Sequence, residues 1–143
     1  MDIAPLSEKM INKYFKMAKN VSELSDFKKF HLGAIMVYKN KVIAAEYNTT
    51  KTNPLQKEYN KLRGFEEEHT NDGAIHSEMA CLIRTRNMNI EWHKVSIFIY
   101  RQHKDATLAY CRPCPACMKA IKDRGIKKIY YTTENGFAYE RIE

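Results

Sequence analysis

The chain has 143 residues and a formal net charge of +7, with 44% hydrophobic, 29% charged and 11% aromatic residues. That length suits one domain over 1–143 with a core of its own, and the aromatic content argues against disorder. No run of about 18 apolar residues is present to cross a membrane, and the amino terminus lacks the apolar stretch of a secretion signal, so a cytoplasmic, reducing setting is expected. In that setting cysteines serve as ligands more often than as disulfides.

The basic excess is spread along the chain, with adjacent lysines at Lys28-Lys29 and Lys127-Lys128. It favours phosphate-bearing partners, nucleotide or nucleic acid, against the plain alternative of a solvated lysine surface; charge by itself does not choose. Ser7 is placed to cap a first helix, with Glu8 in its first turn. Leu6, Met10, Ile11, Tyr14, Phe15, Ala18 and Val21 then recur at three-and-four spacing, with Lys9, Lys13, Lys16 and Lys19 mostly opposite. That is an amphipathic helix whose basic side is read as its wet face.

Leu32 to Tyr38 and Val42 to Tyr47 are apolar and β-prone, split by Lys39-Asn40-Lys41. They predict a hairpin of two largely buried strands. From Asn48 to Ala74 the pattern dissolves into a long loop, with a short helix candidate from Gln56 to Arg63. A loop of that length in a compact domain is often functional. Met79, Ala80, Leu82, Ile83 and Met88 predict a buried helix beginning near His76, and Val95 to Tyr100 predict a strand. After a polar turn over 102–107, a proline-flanked cysteine stretch opens a third helix that ends at Gly125. Ile126, Ile129, Tyr130 and Tyr131 make a further strand. A tight turn at Glu134-Asn135-Gly136 joins it to an edge strand carrying Phe137, Tyr139 and Ile142. The order predicts an α/β fold, a sheet with helices on its faces. The short final turn requires its two strands to be antiparallel.

The chemistry gathers at two helix starts. One carries His76-Ser77-Glu78, the other Cys111-Arg112-Pro113-Cys114-Pro115-Ala116-Cys117. Free N–H groups at a helix start lower thiol pKa, and the thiolate is the form that binds metal. Two such starts on either side of one strand can converge at one end of the sheet. One imidazole and two thiolates with an open fourth place is the pattern of a catalytic zinc site, and a mixed N/S set suits zinc. Glu78 is then positioned to take a proton from water and pass it to a leaving nitrogen.

His76-x-Glu78 followed by Pro113-Cys114-x-x-Cys117 resembles the signature of the zinc deaminases. The chain resembles the cytidine and deoxycytidylate deaminase superfamily over most of its length, because the element order matches as well. The resemblance implies a three-layer cytidine-deaminase-like fold: a five-stranded mixed sheet with helices on both faces and a final antiparallel hairpin. It implies His76, Cys114 and Cys117 as zinc ligands. Zinc hydroxide would be the nucleophile and Glu78 the proton shuttle in converting cytosine to uracil. It makes Ser77 a backbone contact to the base and Asn48 a sugar or base contact. Relatives often assemble as homo-oligomers.

Some features depart from that pattern. Arg112 stands where many relatives have Glu or Ser, and meets either a substrate phosphate or a surface carboxylate. Cys111 is extra: as a fourth ligand it would close the site, but its place before the prolines reads as a bystander thiol. Cys81 reads as core. His69, in the long loop, is read as a solvent histidine. The substrate expected is a free nucleoside or nucleotide: cytidine, deoxycytidine or dCMP. One alternative is cytosine in single-stranded nucleic acid, for which Tyr59, Phe65 and Tyr110 are the loop aromatics able to stack on bases. Another is a structural zinc module using Cys111, whose Glu78 would be dispensable. An iron–sulfur site on the clustered cysteines lacks the usual fourth cysteine.

Overall fold

The computed structural model describes residues 4–27, 30–60 and 74–143. The first helix, α1, spans Glu8–Ser22, and the Ser7 hydroxyl accepts the Met10 N–H at 3.3 Å as its cap. β1 (Leu32–Tyr38) and β2 (Lys41–Tyr47) form the expected hairpin. Its turn residues Lys39 and Asn40 have φ of 50° and 64°, the left-handed pair that matches the twist of a two-residue hairpin.

Later elements complete one sheet in the order β2-β1-β5-β6-β7, where β5 is Val95–Arg101, β6 is Lys128–Thr133 and β7 is Gly136–Arg141. β5 pairs antiparallel with β1 and parallel with β6, and β6 pairs antiparallel with β7, so the sheet is mixed and ends in the expected hairpin. Parallel neighbours need a crossover. Here it contains α4 (Pro115–Arg124), which ends at Gly125 with φ of 101°. The other helix on this side is α3 (Ser77–Arg84).

Strand alternation sorts the core into two layers. Ile35 and Val37 of β1, Phe98 and Tyr100 of β5, and Tyr130 of β6 bury against Ile11, Tyr14, Phe15 and Ala18 of α1. Ala34, Met36, Ile97, Ile99, Ile129 and Tyr131 point the other way, onto Met79 and Leu82 of α3 and Ala120 and Ile121 of α4. The period of two along a strand is the cause: consecutive side chains must serve opposite faces. Gly33 fixes how closely α1 lies on β1, since a Cβ there would sit 2.0 Å from the Ala18 carbonyl oxygen.

The stretch expected to be loop holds structure. β3 (Thr49–Thr52) pairs antiparallel with β4 (Ala74–Ile75) as a separate two-stranded ribbon. Between them α2 runs Pro54–Asn60. It begins earlier than the expected Gln56 because Pro54 suits the first helical position, where a missing N–H costs nothing. The Asn53 side chain accepts the Leu55 N–H at 2.9 Å. Residues 61–63 of the helix candidate, together with Phe65 and His69, lie outside the described residues. A turn of 3₁₀ helix at Trp92–Lys94 precedes β5, where the sequence reads only as a lead into the strand.

Candidate active site

His76 is the N-cap of α3, and Cys114 is the N-cap of α4. Both have extended backbone, and neither uses its side chain as a cap. The imidazole and the thiol are therefore available to project away from their own helices. Pro115 takes the first position of α4, and Cys117 comes at its third residue.

The two helix starts meet. His76 Nδ1 lies 3.3 Å from Cys117 Sγ and 3.7 Å from Cys114 Sγ, and the three donor atoms all fall within 4.8 Å of one another. Zinc bonds of the usual length set at a tetrahedral angle place nitrogen and sulfur about 3.6 Å apart. The spacing and the N/S/S donor set thus fit a zinc ion. The Cys114 thiol is pulled far below its ordinary range, first by a hydrogen bond from Cys117 and further by His76. Cys117 is pushed up, first by burial and then by sharing its proton with Cys114.

Glu78 is 3% exposed, directly beside this cluster. Burial pushes its carboxyl above the usual range; the His76 charge pulls the other way and Cys114 adds to the rise. Ser77 is fully buried, with its hydroxyl 3.5 Å from the Glu78 carboxylate. Asn48, His76, Ser77, Glu78, Arg112 and Cys114 all line one cavity of about 300 Å³, and Cys117 lies buried beside it.

Several residues have a second set of contacts. Asn48 is buried, its side-chain oxygen accepting from Leu32 N–H at 2.8 Å and from the Ser25 hydroxyl at 2.7 Å. Its amide nitrogen donates to the Phe30 carbonyl at 3.1 Å. It therefore ties the 25–32 segment to the start of β1 while it lines the cavity. Arg112 makes a two-pronged pair with Glu140, at 2.6 Å and 3.1 Å. The surface carboxylate considered as its partner is thus present. Cys111 is buried outside the donor cluster, its thiol 3.3 Å from the Ile99 carbonyl and 3.1 Å from the Thr132 hydroxyl, and burial pushes it up to about 12. Cys81 is core, with its thiol directed to the Ala34 carbonyl. Of the loop aromatics, Tyr110 lines the cavity and is 53% exposed, whereas Tyr59 turns to Asp123 of α4 at 2.7 Å.

Three residues not singled out from the sequence belong to the site. Gln56 of α2 is fully buried; its side-chain oxygen accepts the His76 N–H at 3.1 Å, and its side chain also hydrogen-bonds the Cys117 thiol. Phe30 and Arg101 form part of the cavity wall. Nothing in local spacing marks Gln56, which sits in a charged stretch. Arg101 carries one weak signal, a cation directly after an apolar strand.

The family model for the cytidine and deoxycytidylate deaminase zinc-binding region matches residues 8–133. Among solved structures, the chain is similar to dCMP deaminase from the cyanophage S-TIM5 in its apo form, at 26% identity and a TM-score of 0.62, over 90% of this chain and 86% of that one. It also superposes on the same phage enzyme in complex with dCMP and dUMP, at 24% identity and a TM-score of 0.60, over 90% and 84% of the two chains. Cytidine deaminase from Burkholderia pseudomallei shares the fold at 13% identity and a TM-score of 0.62, over 95% and 93%. No curated protein matches significantly by sequence.

Proposed function

The chain belongs to the cytidine and deoxycytidylate deaminase family, and from that premise we propose that it hydrolyses the amino group of cytosine in a free nucleoside or nucleotide. The observation that carries this reading is Glu78: a buried carboxylate, in a cavity, beside a three-donor metal cluster. His76, Cys114 and Cys117 would hold zinc. When bound, zinc supplies a Lewis acid that makes water nucleophilic near neutral pH.

The residues of the chain do the rest. Glu78 takes a proton from the attacking water and delivers it to the departing nitrogen, so that cytosine and water leave as uracil and ammonia. A carboxyl raised by burial is suited to both halves of that transfer, since it holds and releases a proton closer to neutrality. Ser77 and Asn48 are offered to the base and sugar, and Tyr110 supplies a partly exposed ring on which a base can stack. The placement of Cys111 outside the cluster supports a site with an open fourth position over a closed structural one.

The cyanophage relative is a dCMP deaminase, so dCMP joins cytidine, deoxycytidine, CMP and a cytosine-bearing single strand in the test panel. Ammonia release from the zinc-loaded protein is the measurement. Glu78→Gln is expected to lower turnover by roughly 10²-fold or more, because a positioned proton carrier contributes about that much. Full activity in a folded Glu78→Gln protein, or no ammonia from any substrate, rules this mechanism out. The same reading takes residues 1–143 as one catalytic unit, cytoplasmic and homo-oligomeric; sedimentation of the zinc-loaded protein checks the assembly.

A further inference from the structure

Arg101 ends β5, where the chain leaves the sheet. Its guanidinium lies over the Phe30 ring, 4.7 Å from the centroid. Its Nε is enclosed and has no hydrogen-bond partner among the described residues. Among the described residues, no carboxylate forms an ion pair with it. A buried donor left unpaired is costly, and a charged one more so. A guanidinium that lines a cavity, stacks on a ring and has no carboxylate partner among the described residues is the kind of group that an arriving anion completes.

Its position says which anion. Phe30 and Arg101 line the catalytic cavity, and both also line a second cavity of about 420 Å³. That neighbour contains His31, His103 and Lys104, with Glu23 as its carboxylate. A molecule with its base against Glu78 therefore has a basic region next to it, across a wall made by one ring and one guanidinium. The other arginine of the cavity, Arg112, is already held at two points by Glu140.

We propose that Arg101 is the phosphate-reading residue of this site, binding a phosphate carried on the cytosine-bearing substrate, with His103 and Lys104 extending the anion-binding surface beyond it. This rests on the deaminase reading. The phosphate has two sources, a nucleoside monophosphate or the backbone of a single strand, and the chemistry at Arg101 is the same for both.

The test combines binding and turnover on the zinc-loaded protein. Isothermal titration compares cytidine with CMP, deoxycytidine with dCMP, and adds a pentanucleotide with one central cytosine. The parent is expected to bind each monophosphate at least about tenfold more tightly than its nucleoside, which is about 1.4 kcal/mol. Arg101→Ala is expected to erase that ratio, Arg101→Lys to keep part of it as a point charge without the fork, and Arg112→Ala to retain it. If Arg101→Ala melts far below the parent, Arg101→Gln takes its place with the same expected loss. A pentanucleotide that binds more tightly than the monophosphates, with affinity falling steeply in salt, identifies the strand backbone as the source; a weaker one identifies the monophosphate.

Equal affinity for phosphorylated and plain ligands in the parent overturns the proposal. So does a preference that survives in folded Arg101→Ala or Arg101→Gln, or that vanishes only in Arg112→Ala. Ammonia release without phosphate preference removes the role of Arg101 and leaves the deaminase reading standing. Phosphate-dependent binding without ammonia release does the reverse.

Discussion

Cys111 and Cys114 stand three positions apart and have different surroundings. Cys114 sits at a helix start against an imidazole and a second thiol, and its thiol is drawn down. Cys111 sits under the sheet between a carbonyl and a hydroxyl, and its thiol is pushed up to about 12. The same side chain is suited to hold a metal in the first setting and is a protonated hydrogen-bonding group in the second, because charge stabilisation decides which thiol ionises. Gln56 extends this argument. It holds the His76 backbone and touches Cys117, so it fixes two of the three donors relative to each other. Groups in this position typically contribute 10–100-fold to metal affinity. Gln56→Ala is expected to weaken zinc binding by that factor, read by competition with a chromophoric chelator. Cys111→Ala in the same assay is expected to leave zinc affinity unchanged; a large drop there would return Cys111 to the ligand set.

At the scale of elements, α1 lies so close to β1 that only glycine fits at position 33. The obstructing atoms are the backbone of Ala18 and Ser22, which cannot rotate away as a side chain can. Gly33→Ala must therefore move the helix. Overpacking of this kind costs about 1–3 kcal/mol or more, and a lowered thermal midpoint is the expected result. The segment just before β1 runs through Phe30, on the cavity wall, and Leu32, whose N–H is held by Asn48. Turnover is expected to fall along with stability, and an unchanged midpoint would mean that α1 is not seated as described. The ribbon of β3 and β4 shows why part of the chain resists reading at this scale. β3 is Thr-Thr-Lys-Thr, with no apolar alternation, and its partner contributes two residues from far along the chain. Pairing that depends on a distant strand and buries little apolar surface leaves no periodic trace.

For the molecule as a whole, the two hydrophobic layers on either side of the sheet are built mostly from strand and helix side chains other than the candidate metal donors. Removal of zinc by a chelator is therefore expected to abolish turnover and lower the thermal midpoint while leaving the far-ultraviolet dichroism largely intact. A structural zinc module behaves otherwise, because there the metal supplies the folding energy and chelation unfolds the chain. The lasting content of the sequence lies in short spacings. His76 to Glu78 and Cys114 to Cys117 each fall within one helical turn, so local geometry alone puts each pair near one helix start. The order of elements follows in the same way from periods of two and of three to four. What only the tertiary structure decided is which distant side chains stand around those starts: Gln56 behind His76, Glu140 on Arg112, Thr132 on Cys111, and Phe30 under Arg101. These contacts join residues tens of positions apart, and they arise from how helices seat on a sheet. No residue's neighbours in the chain record that packing.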